Sequence, residues 1–375
     1  MIPVAKPIIG DEEKKAVLEV LNSGMLAQGS KVKVLEEEFA KYCGVKHAIA
    51  VNNGTAALHA CLYAAGIKQG DEVITVPFTF VATANAIIMQ NAKPVFVDIE
   101  EDTFNIDPEK VKMAITPKTK AILPVDLYGH IHNHKAIREI ADEHGLIVVE
   151  DACQAVGAEL SGKKAGNFGD LAAFSLYATK NMISGEGGLI TTNNDEFAEQ
   201  CRRFRHHGQS EQTRYQYHDL GYNYRLTDIQ AAIALEQLKK IDGFNARRIE
   251  NARLLTQGLQ KIDGLCGLSG LKLPAVLDGV KHVFHQYSVV VGDGFGLSRN
   301  GIIEKLKKKG IGSAVFYPKP LHLHPHFSRL GYKEGDFPVS ERVSKQIFSL
   351  PVHPSLGIDE VNQIINAFED IKNGL

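Results

Sequence analysis

Residues 148–189 read VVEDACQAVGAELSGKKAGNFGDLAAFSLYATKNMISGEGGL, and the rest of the chain is organised around two residues in this stretch. The apolar run 146–150 predicts a strand that ends in an acid, Asp151, and the run 171–175 predicts a second strand. Lys180 follows that second strand and precedes a glycine-rich turn. Because the carboxyl ends of parallel strands face the crevice where α/β sheets bind ligands, we expect Asp151 and Lys180 to meet in one cleft.

A carboxylate and an amine in one cleft are what pyridoxal phosphate (PLP) requires. The amine of Lys180 would form a Schiff base with the cofactor aldehyde, and Asp151 would keep the pyridine nitrogen protonated so that the ring accepts electrons. An unperturbed lysine has a pKa of about 10.4 and is a poor nucleophile at neutral pH. Once released from the cofactor, the Lys180 amine can carry protons as a general base. Either residue alone is more often structural, so the pair carries this interpretation.

Length and composition describe an ordinary globular chain with room for two domains. The sequence has 375 residues, of which 44% are hydrophobic and 23% charged, and its formal net charge is −2. A net charge this close to zero does not indicate a basic surface for binding nucleic acid. The five cysteines include no CxxC pair, which argues against a disulfide framework. No signal-peptide core and no apolar run of about 20 residues is present, so a cytoplasmic protein without a membrane span is expected.

From residue 47 onward, apolar runs of strand length alternate with helical patterns, which predicts a mostly parallel sheet with helices on both faces. We divide the chain into a large α/β domain, residues 1–245, and a smaller α+β domain, residues 246–375, that covers the cleft. The predicted strands are 47–51, 72–76, 94–99, 121–127, 146–150, 171–175, 189–192 and 286–291. The predicted helices are 11–22, 32–42, 56–66, 81–90, 108–114, 134–144, 195–206, 231–242, 245–261, 302–309 and 360–371. Residues 209–223 are polar and Tyr-rich, and we expect them to be exposed.

Several residues near the predicted strand ends suit the other parts of the cofactor. The turn Gly54-Thr55-Ala56 opens a helix, and the free amides and positive dipole of a helix N-terminus favour a phosphate. Ser175 would add a hydroxyl donor there. Gln154 could hydrogen-bond the phenolic oxygen, and Phe80 could stack on the ring. Neither GxxxxGK[ST] nor GxGxxG occurs, which disfavours a triphosphate or dinucleotide loop.

The histidine-rich run LHLHPH at 321–326 suggests metal ligands, but no spaced carboxylate or cysteine completes a zinc pattern, so no metal is expected. We expect His282, His285 and His322 to line a substrate cleft instead. Tyr317 joins His285 and His322 as a candidate substrate-binding residue.

The ordered blocks NNGTAALH (52–59), EDACQAVGA (150–158), FSLYATKN (174–181) and LGYNYRLTDIQAAIALEQL (220–238) resemble the DegT-type sugar aminotransferases. These are PLP enzymes of the aspartate-aminotransferase-like fold, PLP fold type I. The resemblance runs almost from end to end of the chain. It implies that Lys180 carries the Schiff base, that Asp151 pairs with the pyridinium nitrogen and that Gln154 lies near the phenolic oxygen. The remaining cofactor residues that it implies are Thr55, Ala56, Ser175 and Phe80.

The same resemblance implies a homodimer with shared active sites. Asn223 would reach the phosphate of the cofactor bound to the partner subunit, and Arg225 beside it would meet the charged end of a nucleotide sugar. Some relatives carry histidine in place of the lysine and act as dehydratases, so Lys180 argues against that chemistry. His130 stands where relatives often have glutamine.

The implied reaction moves an amino group from an amino acid, L-glutamate in the usual case, to the keto group of a nucleotide-linked sugar. Such enzymes serve surface-polysaccharide or amino-sugar biosynthesis. The turn GEGG at 185–188 resembles members that aminate C4 of the sugar more than members with GDGG, which aminate C3. The sequence determines neither the nucleotide nor the sugar.

Alternatives remain open at this point. A C3-specific aminotransferase is the nearest of them. Another PLP reaction, such as desulfuration, would need a reactive cysteine in a mobile loop, and the nearest candidate, Cys153, looks structural. A non-catalytic regulatory protein could keep the same fold. A nucleic-acid-binding regulator is disfavoured by the near-neutral charge.

Overall fold

The computed structural model describes residues 1–210, 213, 215–267 and 270–375. Its largest sheet has seven strands in the order β1-β9-β8-β5-β4-β2-β3. Strand β9 is antiparallel to β1 and β8, whereas the other neighbouring pairs are parallel. The strands are β1 (His47–Val51), β2 (Glu72–Thr75), β3 (Lys93–Phe96), β4 (Thr119–Ile122), β5 (Ile147–Asp151), β6 (Glu159–Leu160), β7 (Lys163–Lys164), β8 (Leu171–Ser175), β9 (Gly188–Thr192), β10 (Leu271–Lys272), β11 (Val280–Lys281), β12 (Tyr287–Val291) and β13 (Ile347–Leu350).

The helices follow the strands in alternation through the first half of the chain, which confirms the predicted α/β class. They are α1 (Asp11–Ser23), α2 (Ser30–Cys43), α3 (Gly54–Ala64), α4 (Val81–Met89), α5 (Pro108–Ala114), α6 (His134–His144), α7 (Asp195–Arg205), α8 (Asp228–Gln260), α9 (Arg299–Lys308), α10 (Pro325–Ser328), α11 (Pro338–Gln346) and α12 (Ile358–Asn373). Within the described residues, no helix has both the length and the apolar character needed to cross a membrane.

Strand β8 shows how the large sheet buries both of its faces. Ala172 and Phe174 point toward helices α2 and α8, while Leu171 and Ala173 point toward α3 and α7. All four side chains are fully buried. Because successive side chains of a strand face opposite sides, a sheet covered by helices on both faces needs a continuous apolar run, and LAAF supplies one.

A smaller sheet, β10-β12-β13, packs with α9, α12 and the second half of α8 around its own apolar core. The sequence did not predict β13 or α11, because each is a single short segment without a clear flanking signal. Helix α8 also differs from the prediction of two separate helices. It runs unbroken for 33 residues, since Gly243 lies inside it without a breaker beside it and Asn245 is buried against Val156. The division at residue 245 therefore falls inside a helix and remains a prediction.

The start of helix α8 also fixes the loop that precedes α2. Thr227 caps α8 together with Gln230 in a capping box. The buried carboxylate of Asp228 accepts the amides of Gly29, Lys31 and Val32 at 2.8, 3.2 and 3.0 Å. These amides are the donors that a helix N-terminus leaves without intrahelical partners, so Asp228 ties the two helices together.

The Tyr-rich segment 209–223 is exposed over most of its described part. Tyr215, Tyr217 and Leu220 have relative exposures of 69%, 62% and 67%. Residues 211, 212 and 214 of this segment lie outside the described residues.

Candidate active site

Strands β5 and β8 are parallel neighbours, with Asp151 paired with Ala173. Asp151 ends β5, and Lys180 follows the end of β8 after a short turn in which its amide bonds Tyr177 O at 2.8 Å. Both residues line one cleft of about 820 Å³. The structure thus places the carboxylate and the amine where the strand pattern places them, at one edge of the sheet.

Asp151 lies at the floor of this cleft and is 4% exposed. Its Oδ2 accepts the hydroxyl of Thr83 at 2.8 Å, and its Oδ1 accepts the amide of Cys153 at 3.2 Å. Burial raises the pKa of Asp151, while these hydrogen bonds and the charge of Lys180 oppose the rise. A buried carboxylate with two neutral donors still has lone pairs available, so the site suits a cationic N–H such as a pyridinium.

Lys180 is partly buried beside Asp151. Burial lowers its pKa, and the neighbouring thiol of Cys153 and the carboxylate of Asp151 act in the opposite direction. A lowered pKa increases the neutral fraction of the amine, which is the form that attacks a carbonyl group.

The opposite end of the cleft is formed by the start of α3. A Cβ on Gly54 would lie 2.9 Å from Cβ of Ser175 and 3.1 Å from Sγ of Cys153, so only glycine lets this turn approach β8 so closely. The amide of Ala56 already donates to Oδ1 of Asn53 at 2.8 Å, so a phosphate would have to share it. Ser175 Oγ accepts the amide of Tyr177 at 3.3 Å and therefore keeps its own proton for donation.

Gln154 connects two tyrosines across the cleft. Its Oε1 accepts the amide of Tyr128 at 3.0 Å, and its Nε2 donates to the hydroxyl of Tyr317 at 3.3 Å. The hydroxyl of Tyr128 donates in turn to the carbonyl of Phe316. Phe80 is 56% exposed over the cleft, with its ring centroid 6.3 Å from that of Tyr317. Sequence reasoning singled out Tyr317 but missed Tyr128 and Thr83, which reach the cleft from distant elements.

Two predicted histidines do not line this cleft. His322 is fully buried against Phe337, and its Nε2 lies 2.9 Å from Oε1 of Glu341. His282 stacks on Phe284 with centroids 4.0 Å apart. The expectation that these side chains face the substrate cleft is therefore wrong, because His322 packs against the start of α11 and His282 packs against the neighbouring Phe284. His285 does line the cleft.

Asn223 and Arg225 also lie outside the cleft of their own chain. The rings of Tyr222 and Tyr224 stack at 5.0 Å and pack on His59 of α3. In an extended segment alternate side chains point to opposite sides, so Asn223 faces away from α3, and it is exposed. A residue that serves another subunit needs this outward orientation.

A buried acidic pair lies directly behind Asp151. The Asp126 amide donates to the Asp151 carbonyl at 3.0 Å, and the charge of the Asp126 carboxylate adds to the effect of burial on the pKa of Glu150. Glu150 also accepts the amides of Gly166, Phe168 and Gly169. Burial raises the pKa of both acids, that of Glu150 to about 8. The pair therefore retains a proton at neutral pH.

This pair predicts a loss of stability at alkaline pH. A group whose pKa is higher in the folded state loses its contribution to stability as the pH rises through that value. The neighbouring His132, whose Nδ1 lies 2.6 Å from Oδ1 of Asp126, has a pKa lowered to about 4 by burial. Its protonation therefore changes the stability only below pH 7. The loss runs from the ordinary carboxyl pKa up to about pH 8, so between pH 7 and 8 we expect the thermal unfolding midpoint of the wild type to fall more steeply than that of Glu150→Gln. Glu143→Gln, a change at an exposed acid, should follow the wild type, and equal slopes in all three proteins would contradict the raised pKa of Glu150.

The sheet order and the pairing of Asp151 with Lys180 are those of a PLP fold type I protein. Comparison with known proteins then gives the family. Residues 7–369 match the DegT/DnrJ/EryC1/StrS aminotransferase family, to which the chain therefore belongs. It is an aminotransferase.

Named relatives share about two fifths of the sequence over nearly the full chain. The GDP-perosamine synthase of Caulobacter vibrioides is 41% identical over 99% of this chain and 98% of its own length. The dTDP-3-amino-3,4,6-trideoxy-alpha-D-glucose transaminase of Micromonospora megalomicea is 40% identical, covering 96% and 94%. A pleiotropic regulatory protein of Geobacillus stearothermophilus is 44% identical, covering 92% and 91%.

A solved structure confirms the fold. The PLP form of a putative sugar aminotransferase from Streptococcus pneumoniae superposes with a TM-score of 0.92 at 29% identity. The match covers 100% of this chain and 99% of that one.

Proposed function

We propose that this chain is a PLP-dependent aminotransferase that moves the amino group of L-glutamate to the keto group of a nucleotide-linked sugar. The product would serve polysaccharide or amino-sugar biosynthesis. The observation that carries the proposal is the placement of Asp151 and Lys180 in one cleft that ends at the Gly54 turn. PLP, when bound, supplies the electron sink for removing a proton next to nitrogen.

The residues of the cleft divide this work among them. Lys180 would hold the cofactor aldehyde and, when released, carry the proton between the amine-bearing carbon of the substrate and the aldehyde carbon (C4′) of the cofactor. Asp151, buried and supported by Thr83, would keep the ring nitrogen protonated. The Gly54-Thr55 amides and the Ser175 hydroxyl would bind the phosphate. Phe80 would cover the ring, and Gln154 would contact its phenolic oxygen.

The substrate side of the cleft supports a polar, sugar-sized acceptor. Four polar side chains line this part of the cleft and offer hydrogen-bond donors and acceptors for hydroxyl groups. They are Glu186, His285, Gln286 and Tyr317. Two relatives are named for a GDP-linked and a dTDP-linked amino sugar, so the nucleotide differs even among close relatives. We propose amination at C4, because the turn 185–188 reads GEGG and its Glu186 contributes to the cleft.

We further propose a homodimer in which each site takes Asn223 and Arg225 from the partner subunit. The outward orientation of Asn223, away from its own cleft, supports this arrangement.

A regulatory role is the second candidate, since one relative is named a pleiotropic regulatory protein. The presence of Lys180, Asp151 and the close Gly54 turn favours catalysis, because a protein without catalysis has no need of a partly buried lysine beside a buried acid. The two roles differ in whether a biological effect survives loss of Lys180.

The proposal is tested by supplying the reconstituted protein with L-glutamate and UDP-, GDP- and dTDP-linked 3-keto and 4-keto sugars. We expect 2-oxoglutarate together with an amino sugar whose mass and NMR spectrum place nitrogen at C4. Nitrogen at C3 would support the alternative regiochemistry, and no 2-oxoglutarate with any sugar would overturn the sugar aminotransferase assignment.

A further inference from the structure

Arg225 is held by a histidine rather than by an acid. Its Nη1 donates to Nδ1 of His206 at 2.8 Å. Within the described parts of the chain, no carboxylate forms an ion pair with Arg225. A guanidinium that donates to an imidazole nitrogen keeps its charge and its remaining donors for an anion, and a planar fork of donors suits phosphate.

The backbone around His206 fixes this contact. His206 follows the end of α7 and pairs with Asn223 in an antiparallel bridge. The amide of His207 donates to the carbonyl of Tyr222 at 3.0 Å, and the amide of Tyr224 donates to that of Arg205 at 3.0 Å. The two segments therefore cannot shift relative to one another without breaking several hydrogen bonds.

A close crossing of two glycines reinforces the pairing. A Cβ on Gly221 would lie 1.9 Å from the nitrogen of Gly208, and a Cβ on Gly208 would lie 1.8 Å from the carbonyl oxygen of Asp219. Only residues without a side chain permit this approach. An ion pair between Arg203 and Asp219 at 3.3 Å joins the same segments.

We infer that His206 is a positioning residue that holds the Arg225 guanidinium for the diphosphate of the nucleotide-linked substrate. The inference rests on the proposed function. Arg225 is two positions after Asn223 in an extended segment, so it lies on the same outward side. In the proposed dimer both residues act in the partner's cleft, Asn223 on the cofactor phosphate and Arg225 on the substrate.

The first test compares His206→Ala with His206→Asn. The amide oxygen of asparagine can replace Nδ1 as an acceptor, whereas alanine cannot. We expect His206→Ala to raise the KM for the keto sugar nucleotide about tenfold, or about 1.4 kcal/mol of lost binding, and His206→Asn to recover most of it. The glutamate half-reaction, followed by cofactor absorbance without nucleotide, should stay within about twofold of wild type. His207→Asn is the matched control. The His207 side chain is exposed, and its backbone φ of 59° is a conformation that asparagine tolerates.

The second test asks whether His206 acts through Arg225. If it does, the double variant His206→Ala/Arg225→Ala should bind no more weakly than Arg225→Ala alone. Additive losses, or an equal loss in the glutamate half-reaction, would show a general structural role and overturn the inference.

Binding of UDP, GDP and dTDP to the PLP-loaded protein, measured by calorimetry, separates this inference from the proposed function. Weaker binding of the preferred nucleotide to His206→Ala supports positioning. Wild type that processes glutamate but binds none of the three nucleotides, or a preferred nucleotide that binds His206→Ala as tightly as wild type, overturns the inference alone. Wild type that does not process glutamate overturns the proposed function.

Discussion

Lys180→Ala is expected to remove transamination, with kcat lowered by at least about 10⁴-fold. Lys180 is the lysine that lines the cleft beside Asp151, and alanine can neither hold the cofactor nor move a proton. In the wild type, borohydride reduction of the PLP-loaded protein should fix a mass label that peptide mapping places on residue 180. The alanine variant should carry no label.

Lys163→Ala is the matched control, because Lys163 is an exposed lysine of the nearby strand β7. It should label and turn over like the wild type. A wild type that stays colourless after reconstitution, or that carries its label on another lysine, would remove the basis of the proposed chemistry.

The fold could be predicted from the sequence wherever a local pattern decides the structure. Helices α5 and α6 match their predicted bounds, since each has a cap at its start and a periodic apolar face. The predicted break in α8 was wrong, because Gly243 only weakens a helix locally while the packing of both halves stabilises it. Strand β13 was missed for the opposite reason. Its four residues become a strand by pairing with β12, a contact that no local pattern reveals.

The residues of the candidate site also fall into two groups, those that one stretch of sequence reveals and those that only the folded structure brings to the cleft. Asp151, Gln154, Ser175 and Lys180 lie within one short stretch, and the topology of adjacent parallel strands brings them to one edge of the sheet. Thr83 and Tyr128 reach the site from other elements, and no motif marks them in advance. The prediction for His322 failed because sequence gives the position of a ring but not its direction, which the packing against Phe337 decides.

Asp151→Asn is expected to separate binding of the cofactor from its activation. Asparagine has nearly the size of aspartate and can keep one of the two hydrogen bonds, to Thr83 or to Cys153. It cannot carry the charge that a protonated ring nitrogen needs. The glutamate half-reaction should therefore slow by about 10²–10³-fold, while PLP still attaches to Lys180 and still absorbs light, with a shifted band.

Thr83→Val tests the support of this carboxylate. Valine has the shape of threonine without the hydroxyl, so Asp151 loses one buried hydrogen bond but keeps its charge. We expect the rate of the glutamate half-reaction to fall about tenfold, which corresponds to a net hydrogen-bond contribution of about 1.4 kcal/mol. Rapid-mixing absorbance with glutamate measures both variants. Near wild-type rates in Asp151→Asn would contradict the assigned role, because they would show that catalysis does not depend on a negative charge at the floor of the cleft.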